Sequence, residues 1–134
     1  MTGSRISSGS SFEELAGYAR AVVLPDPGGD WVLVSGTTGY DYDAGTLPED
    51  VVDQCRQCFR NIAAALEQAG SSLDDLVRIR VYTTSRRNFE RIAPVVAEHT
   101  AAARPANTTV LCDLVELAMK VEIEVTARKA ATGA

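Results

Sequence analysis

LVRIRVYTT, residues 76–84, sets Val77, Ile79 and Val81 in alternation with Arg78, Arg80 and Tyr82. A period of two sends alternate side chains to opposite sides of an extended chain, so this stretch predicts a strand with one apolar and one polar face. MKVEIEVTARK (119–129) repeats the pattern, with Val121, Ile123 and Val125 to one side and Glu122 and Glu124 to the other. Such strands belong to a sheet covered on one face. If the two are neighbours, arginines lie opposite glutamates on the uncovered face. Two readings of that face stay open. It is either solvated, with ion pairs of little worth, or buried by further subunits, where ionisable groups must be paired or functional.

The cover for the apolar face comes from two helical stretches. The first begins near Pro48, with proline in the first turn and Glu49 and Asp50 beside the positive end of the dipole. Val51, Val52, Cys55, Phe59, Ile62, Leu66 and Ala69 form its apolar stripe, and Gly70 stops it. Ser72–Asp75 has the pattern of a short capping turn. The second helix spans Arg87 to Ala103, with Pro94 costing a hydrogen bond or bending the axis. RAVVL (20–24) and WVLVSG (31–36) predict a hairpin across PDPGGD, a loop follows to residue 50, and TTVLCDL (108–114) adds a strand. The predicted order is β-β-α-β-α-β-β, an α+β subunit with two helices on one face of a mixed sheet.

At 134 residues the chain is one domain long, enough to bury about two-thirds of its extended surface. Residues 1–15 are expected to be a flexible lead-in without the apolar core of a secretory signal, and 16–130 a single domain. No run approaches the roughly 20 apolar residues of a membrane span, so the expected location is the cytoplasm, with no membrane partner. A net charge of −5 offers no footprint for a phosphate backbone, which disfavours nucleic acid as a partner.

Cys55 and Cys58 spell C-R-Q-C, a zinc half-site whose other ligands would have to be Cys112 and the single histidine, His99, with no second paired motif. The expectation is two small apolar residues sharing a helix face, and no metal. TTGYDYDAG (37–45) lacks the spacing and terminal glutamate of a calcium loop. Glycines 36, 39 and 45 form no phosphate fingerprint. One histidine assembles no nucleophile–histidine–acid arrangement of any specificity.

Read together, GYAR (17–20), WVLVSGTTGYD, QCRQCFRNIAAALEQAG, LVRIRVYTTSRRNFE, RPANTTV (104–110) and MKVEIEVTA resemble the RidA/YjgF family, also called endoribonuclease L-PSP or reactive-intermediate deaminase. The resemblance runs over about residues 16–128. It implies a homotrimer of chorismate-mutase-like subunits, sheets closed into a central barrel, and subunit-interface clefts that bind small carboxylates, keto acids and imines. The better-understood members hydrolyse enamines and imines without a cofactor.

Carried onto this chain, the resemblance assigns Glu122 to direct the attacking water. Tyr18, Ser35, Gly36 and Thr109 become substrate-binding residues. The arginine that clamps the substrate carboxylate should follow Pro-Ala, and here that position is Asn107, which offers hydrogen bonds but no charge. The chain thus resembles the arginine-less branches of the family, and weakened binding of α-imino acids is expected. Arg104 is a second candidate for the missing cation, and Ala93 replaces a usually polar position on the second helix.

Three functions follow. The first is hydrolysis of an enamine or imine. The second is a non-catalytic metabolite-binding or pathway accessory role. The third, ribonuclease action, is disfavoured by one histidine and net negative charge. Whether Glu122 acts on a ligand or only pairs with Arg78 or Arg80 is left open by the sequence.

Overall fold

The strands Leu76–Thr83 and Val121–Arg128 are antiparallel neighbours, with Arg80 opposite Glu124 and Tyr82 opposite Glu122. The computed structural model describes residues 3–130 and builds around that pair. In chain order its elements are β1 (Ser4–Ile6), α1 (Ser11–Ala16), β2 (Ala21–Leu24), β3 (Trp31–Thr38), α2 (Val51–Gln68), β4 (Leu76–Thr83), α3 (Arg86–Thr100), β5 (Ala106–Leu111) and β6 (Val121–Arg128). The six strands form one sheet in the order β1-β2-β3-β6-β4-β5. Every pairing is antiparallel except β4 with β5. That parallel pair needs a crossover, which α3 supplies.

The core lies between the sheet and α2 and α3. Val32 and Val34 of β3, Ile79 and Val81 of β4, and Val121, Ile123 and Val125 of β6 meet Phe59, Ile62, Leu66 and Ile92 from the helices. Cys55 and Cys58 belong to this core. Burial pushes the Cys55 thiol up to about 12 and the Cys58 thiol well above its ordinary value. Cys58 Sγ–H donates to the Thr37 carbonyl. Both therefore pack as small apolar groups, as the helix stripe predicts.

Gln54 joins the helix layer to the chain that enters β6. It is fully buried, donates to the carbonyls of Pro48 (2.7 Å) and Ala118 (2.9 Å), and accepts from the Lys120 amide (2.9 Å). Gly39 lets the end of β3 pass beneath it, because a Cβ there would meet Gln54 Cα at 2.5 Å.

Two expectations are corrected. Val77 does not share the inner face with Ile79 and Val81; it is exposed, and Leu76 is buried in its place. The pairing with β6 shifts between Leu76 and Arg78, so Val77 is the extra residue of a β-bulge and the strict alternation breaks there. The N-terminal stretch read as a flexible lead-in carries β1, which pairs with β2, and α1. Smaller differences concern boundaries, with β5 beginning at Ala106 rather than Thr108.

Candidate functional site

The uncovered face of the sheet is not a mere ladder of ion pairs. Arg80 pairs with Glu124 at 3.6 Å, and the Tyr82 hydroxyl also donates to Glu124. Glu124 thereby takes up the charge of Arg80. Two residues earlier on the same face, Glu122 has no hydrogen-bond or ion-pair partner among the described residues. The alternative in which Glu122 merely neutralises Arg78 or Arg80 does not hold within the subunit.

Glu122 instead faces a cavity of about 560 Å³, within the usual range for small-molecule sites. A β-bulge builds its floor. The β3–β6 register shifts between Val34 and Thr37, so Ser35 and Gly36 occupy the irregular stretch. Bulges of this kind re-aim side chains, commonly beside functional sites. Ser35 Oγ donates to the Ala19 carbonyl at 2.6 Å, tying the bulge to the chain entering β2. At Gly36 a Cβ would lie 2.0 Å from Glu122 Oε2, so only glycine leaves the carboxylate in place.

The walls come from three segments. Phe12, Leu15 and Ala16 of α1 form one; Tyr18 and Arg20 before β2, with Tyr42, form another; Val115, Glu116 and Met119 before β6 form the third. Leu15 and Val115 are almost fully exposed on the rim. Burial raises the Glu122 pKa above its ordinary value, with Arg20 pulling the other way and Glu124 adding to the rise. Burial also raises that of Tyr18, against Arg20. The arrangement offers a carboxylate able to take a proton, phenols able to donate hydrogen bonds, and an apolar rim.

Tyr18, Ser35, Gly36 and Glu122, which the resemblance groups together, line this one cavity. Asn107 and Thr109 do not join them within one subunit. In register they lie beside Ile79 and Val81, whose side chains face the helices, so they occupy the opposite face of the sheet from Glu122. They line a smaller cavity of about 270 Å³ with Phe89, Ala93 and other α3 residues, and Thr109 Oγ1 donates to Asn107 Oδ1.

Arg104 is exposed, has a left-handed backbone (φ 54°), and donates its amide to Thr100 as α3 ends. It does not line the Glu122 cavity. His99, half-buried, stacks on Phe59 with ring centroids 4.3 Å apart, in the helix layer away from that cavity. The cavity residues that sequence reasoning missed are Arg20, Thr38, Tyr42, the α1 wall and the wall before β6. Arg20 carried a legible signal: it is the one charge in an otherwise apolar run, RAVVL.

Among the described residues no group of three or more histidine, cysteine or acidic side chains is placed to hold a metal ion. No helix among them is long and apolar enough to cross a membrane.

A bulged mixed sheet with two helices on one face, and a cavity holding a carboxylate on the other, defines an α+β protein of the chorismate-mutase-like fold. Residues 8–129 match the family model described as Endoribonuclease L-PSP. A RutC family protein of Pyrococcus horikoshii is 32% identical over 102 residues, covering 75% of this chain and 81% of that protein. The crystal structure of Rv2704, a YjgF/YER057c/UK114 family member from Mycobacterium tuberculosis, superimposes with a TM-score of 0.82 at 36% identity, covering 95% of this chain and 99% of that one. The mitochondrial protein Mmf1 of Saccharomyces cerevisiae is 30% identical over 98 residues, covering 73% of this chain and 68% of that protein. The chain belongs to the endoribonuclease L-PSP family, that is, the RidA/YjgF family.

Proposed function

We propose that this chain works as a homotrimer whose clefts bind a small carbonyl or imine metabolite and hydrolyse an enamine or imine, with Glu122 as the catalytic residue. The observation that carries this reading is Glu122 itself: a half-buried carboxylate without a partner among the described residues, held against Gly36 at the floor of a ligand-sized cavity. In the reaction, an enamine is first protonated at carbon to its iminium tautomer, or an imine at nitrogen. Water oxygen then bonds to the C=N carbon as Glu122 accepts a water proton and the C=N π pair passes to nitrogen. The carbinolamine so formed then collapses. Its nitrogen, protonated in turn by Glu122, leaves as ammonia while the hydroxyl proton is released and the C=O bond forms.

The trimer completes the site. The β5 edge, carrying Asn107 and Thr109, is remote from Glu122 in its own subunit but free to close a neighbour's cavity. Asn107 then supplies hydrogen bonds where the better-understood members of the family place a charge. Exposed Leu15 and Val115 on the cavity rim suit burial by that neighbour. Three free cysteines, two of them buried, suit a reducing compartment such as the cytoplasm.

The test is ammonia release from freshly generated 2-iminopropionate by the native chain, Glu122→Gln and Asn107→Arg. We expect Glu122→Gln to fall about a hundredfold below native, the scale of a lost general base, and Asn107→Arg, which leaves the carboxylate of Glu122 in place, to change turnover far less. A Glu122→Gln protein as fast as native would remove the assignment.

A further inference from the structure

Arg20 is the only buried arginine among the described residues, 3% exposed. Its Nη1 donates to the Tyr42 hydroxyl at 3.0 Å and its Nη2 to the Gly36 carbonyl at 2.8 Å. Its Nε has no acceptor among the described residues. No carboxylate oxygen of the described residues lies within 4.0 Å of the guanidinium. Taking a cation out of water is costly unless an anion and a full set of acceptors meet it. Here one N–H lacks an acceptor and no carboxylate of the described residues is in ion-pair contact, Glu13 and Glu122 acting on the cation only at longer range, while the Tyr18 ring lies with its centroid 5.6 Å from Cζ.

The same residue lines the Glu122 cavity. The cavity thus holds a cation on its wall and a carboxylate on its floor, and they are not an ion pair with each other. Tyr42 adds a donor beside the cation. Its oxygen accepts from Arg20, and its own O–H has no acceptor among the described residues, so it is free to point at the same ligand atom. Ser35 contributes nothing there, since its hydroxyl is committed to Ala19.

We propose that Arg20 is the specificity-determining residue of this cavity: with the Tyr42 hydroxyl it anchors a carboxylate of the ligand, while the reacting carbon lies toward Glu122. The charge absent at position 107 is supplied from within the subunit, at the tyrosine end of the cleft. A planar guanidinium suits this role because it keeps two protein acceptors while turning a remaining N–H toward an oxyanion. The proposal rests on the reading of this cavity as the ligand site.

The experiment compares 2-oxobutanoate with its neutral counterpart 2-oxobutanamide as probes, by calorimetric titration of the full chain, apart from any turnover. We expect the acid to bind native protein about tenfold or more tighter than the amide, the ratio that a charge-assisted hydrogen bond supplies. Arg20→Gln abolishes that preference by weakening the acid alone, and Arg20→Lys retains part of it. Equal binding of the two probes, no binding of the acid, or a preference that survives Arg20→Gln each overturn the proposal. Should Arg20→Gln not fold, Tyr42→Phe serves in its place, with a several-fold loss confined to the acid. Charge preference without imine hydrolysis would remove the hydrolase reading and leave Arg20 in place. Glu122-dependent hydrolysis without charge preference would do the reverse.

Discussion

At the scale of single residues, Gly36 and Glu122 act as one unit. Glu122 Oε2 occupies the space a Cβ at position 36 would need, so Gly36→Ala must push the carboxylate out of its place or shift the bulge. The obstructing atoms are the end of a flexible side chain that can turn into the cavity, so the fold loses little, whereas displacing a reacting group by about 1 Å costs on the order of a hundredfold in rate. We expect Gly36→Ala to keep its melting temperature within a few degrees of native and to lose turnover nearly as fully as Glu122→Gln. Turnover within twofold of native would show that the carboxylate does not depend on that contact. Legibility differed sharply among these residues. The glutamate and the glycine were readable because they sit in distinctive segments, V-E-I-E-V and V-S-G. Arg20 stands out in the sequence as the one charge of RAVVL, but a lone charge at a strand's start is equally that of a solvated residue, and burial decides between the two. Asn107 and Thr109 were readable as a motif, yet the face they occupy depends on the parallel pairing of β4 with β5, which alternation within one strand cannot supply.

At the scale of elements, the informative case is α1. Two glycines in left-handed conformation, Gly9 (φ 79°) and Gly17 (φ 72°), bracket it. Ser10 caps it by accepting from the Phe12 amide, and buried Glu13 accepts from both the amide and the hydroxyl of Ser8. Nothing in MTGSRISSGSSFEELAG announces this by periodicity, because six residues are too few to show a stripe. Burial by itself would raise the Glu13 pKa, but the Ser8 hydrogen bonds outweigh it and hold the value below the ordinary one. A carboxylate depressed on folding contributes stability above its unfolded pKa of about 4.3, and the contribution is lost as pH falls through the folded value. We therefore expect α1 amides to exchange faster as the pH drops below about 4.3, after correction for the intrinsic rate, while α2 amides stay protected. Glu13→Gln should bring the same loosening at neutral pH, by about 1 kcal/mol. Uniform protection of α1 in both cases would mean that the packing of Phe12 on Tyr40, not Glu13, holds the helix.

At the scale of the whole molecule, the open question in the sequence was what meets the uncovered sheet face. The structure leaves there a mixture that a solvated surface does not need. Leu33 of β3 and Val110 of β5 are exposed at 43% and 42%, beside the Arg80–Glu124 pair and Tyr82. The face is therefore neither a polar surface nor a finished core, and the β5 edge adds unpaired backbone groups at its border. Apolar side chains interleaved with paired charges fit a barrel shared among subunits, in which Leu33 of each copy is buried by the others. A charge placed there would be desolvated without a partner, at a cost of several kcal/mol per subunit. We expect native protein to sediment as a trimer at micromolar concentration and Leu33→Glu to sediment as a monomer that keeps its far-ultraviolet dichroism. If the β5 edge of a neighbour closes the Glu122 cavity, as proposed above, ligand binding should fail together with assembly, although no cavity residue has been changed. A Leu33→Glu protein that is monomeric yet binds 2-oxobutanoate as tightly as native would show that the cavity of one subunit suffices. The homotrimer would then be dispensable to the site.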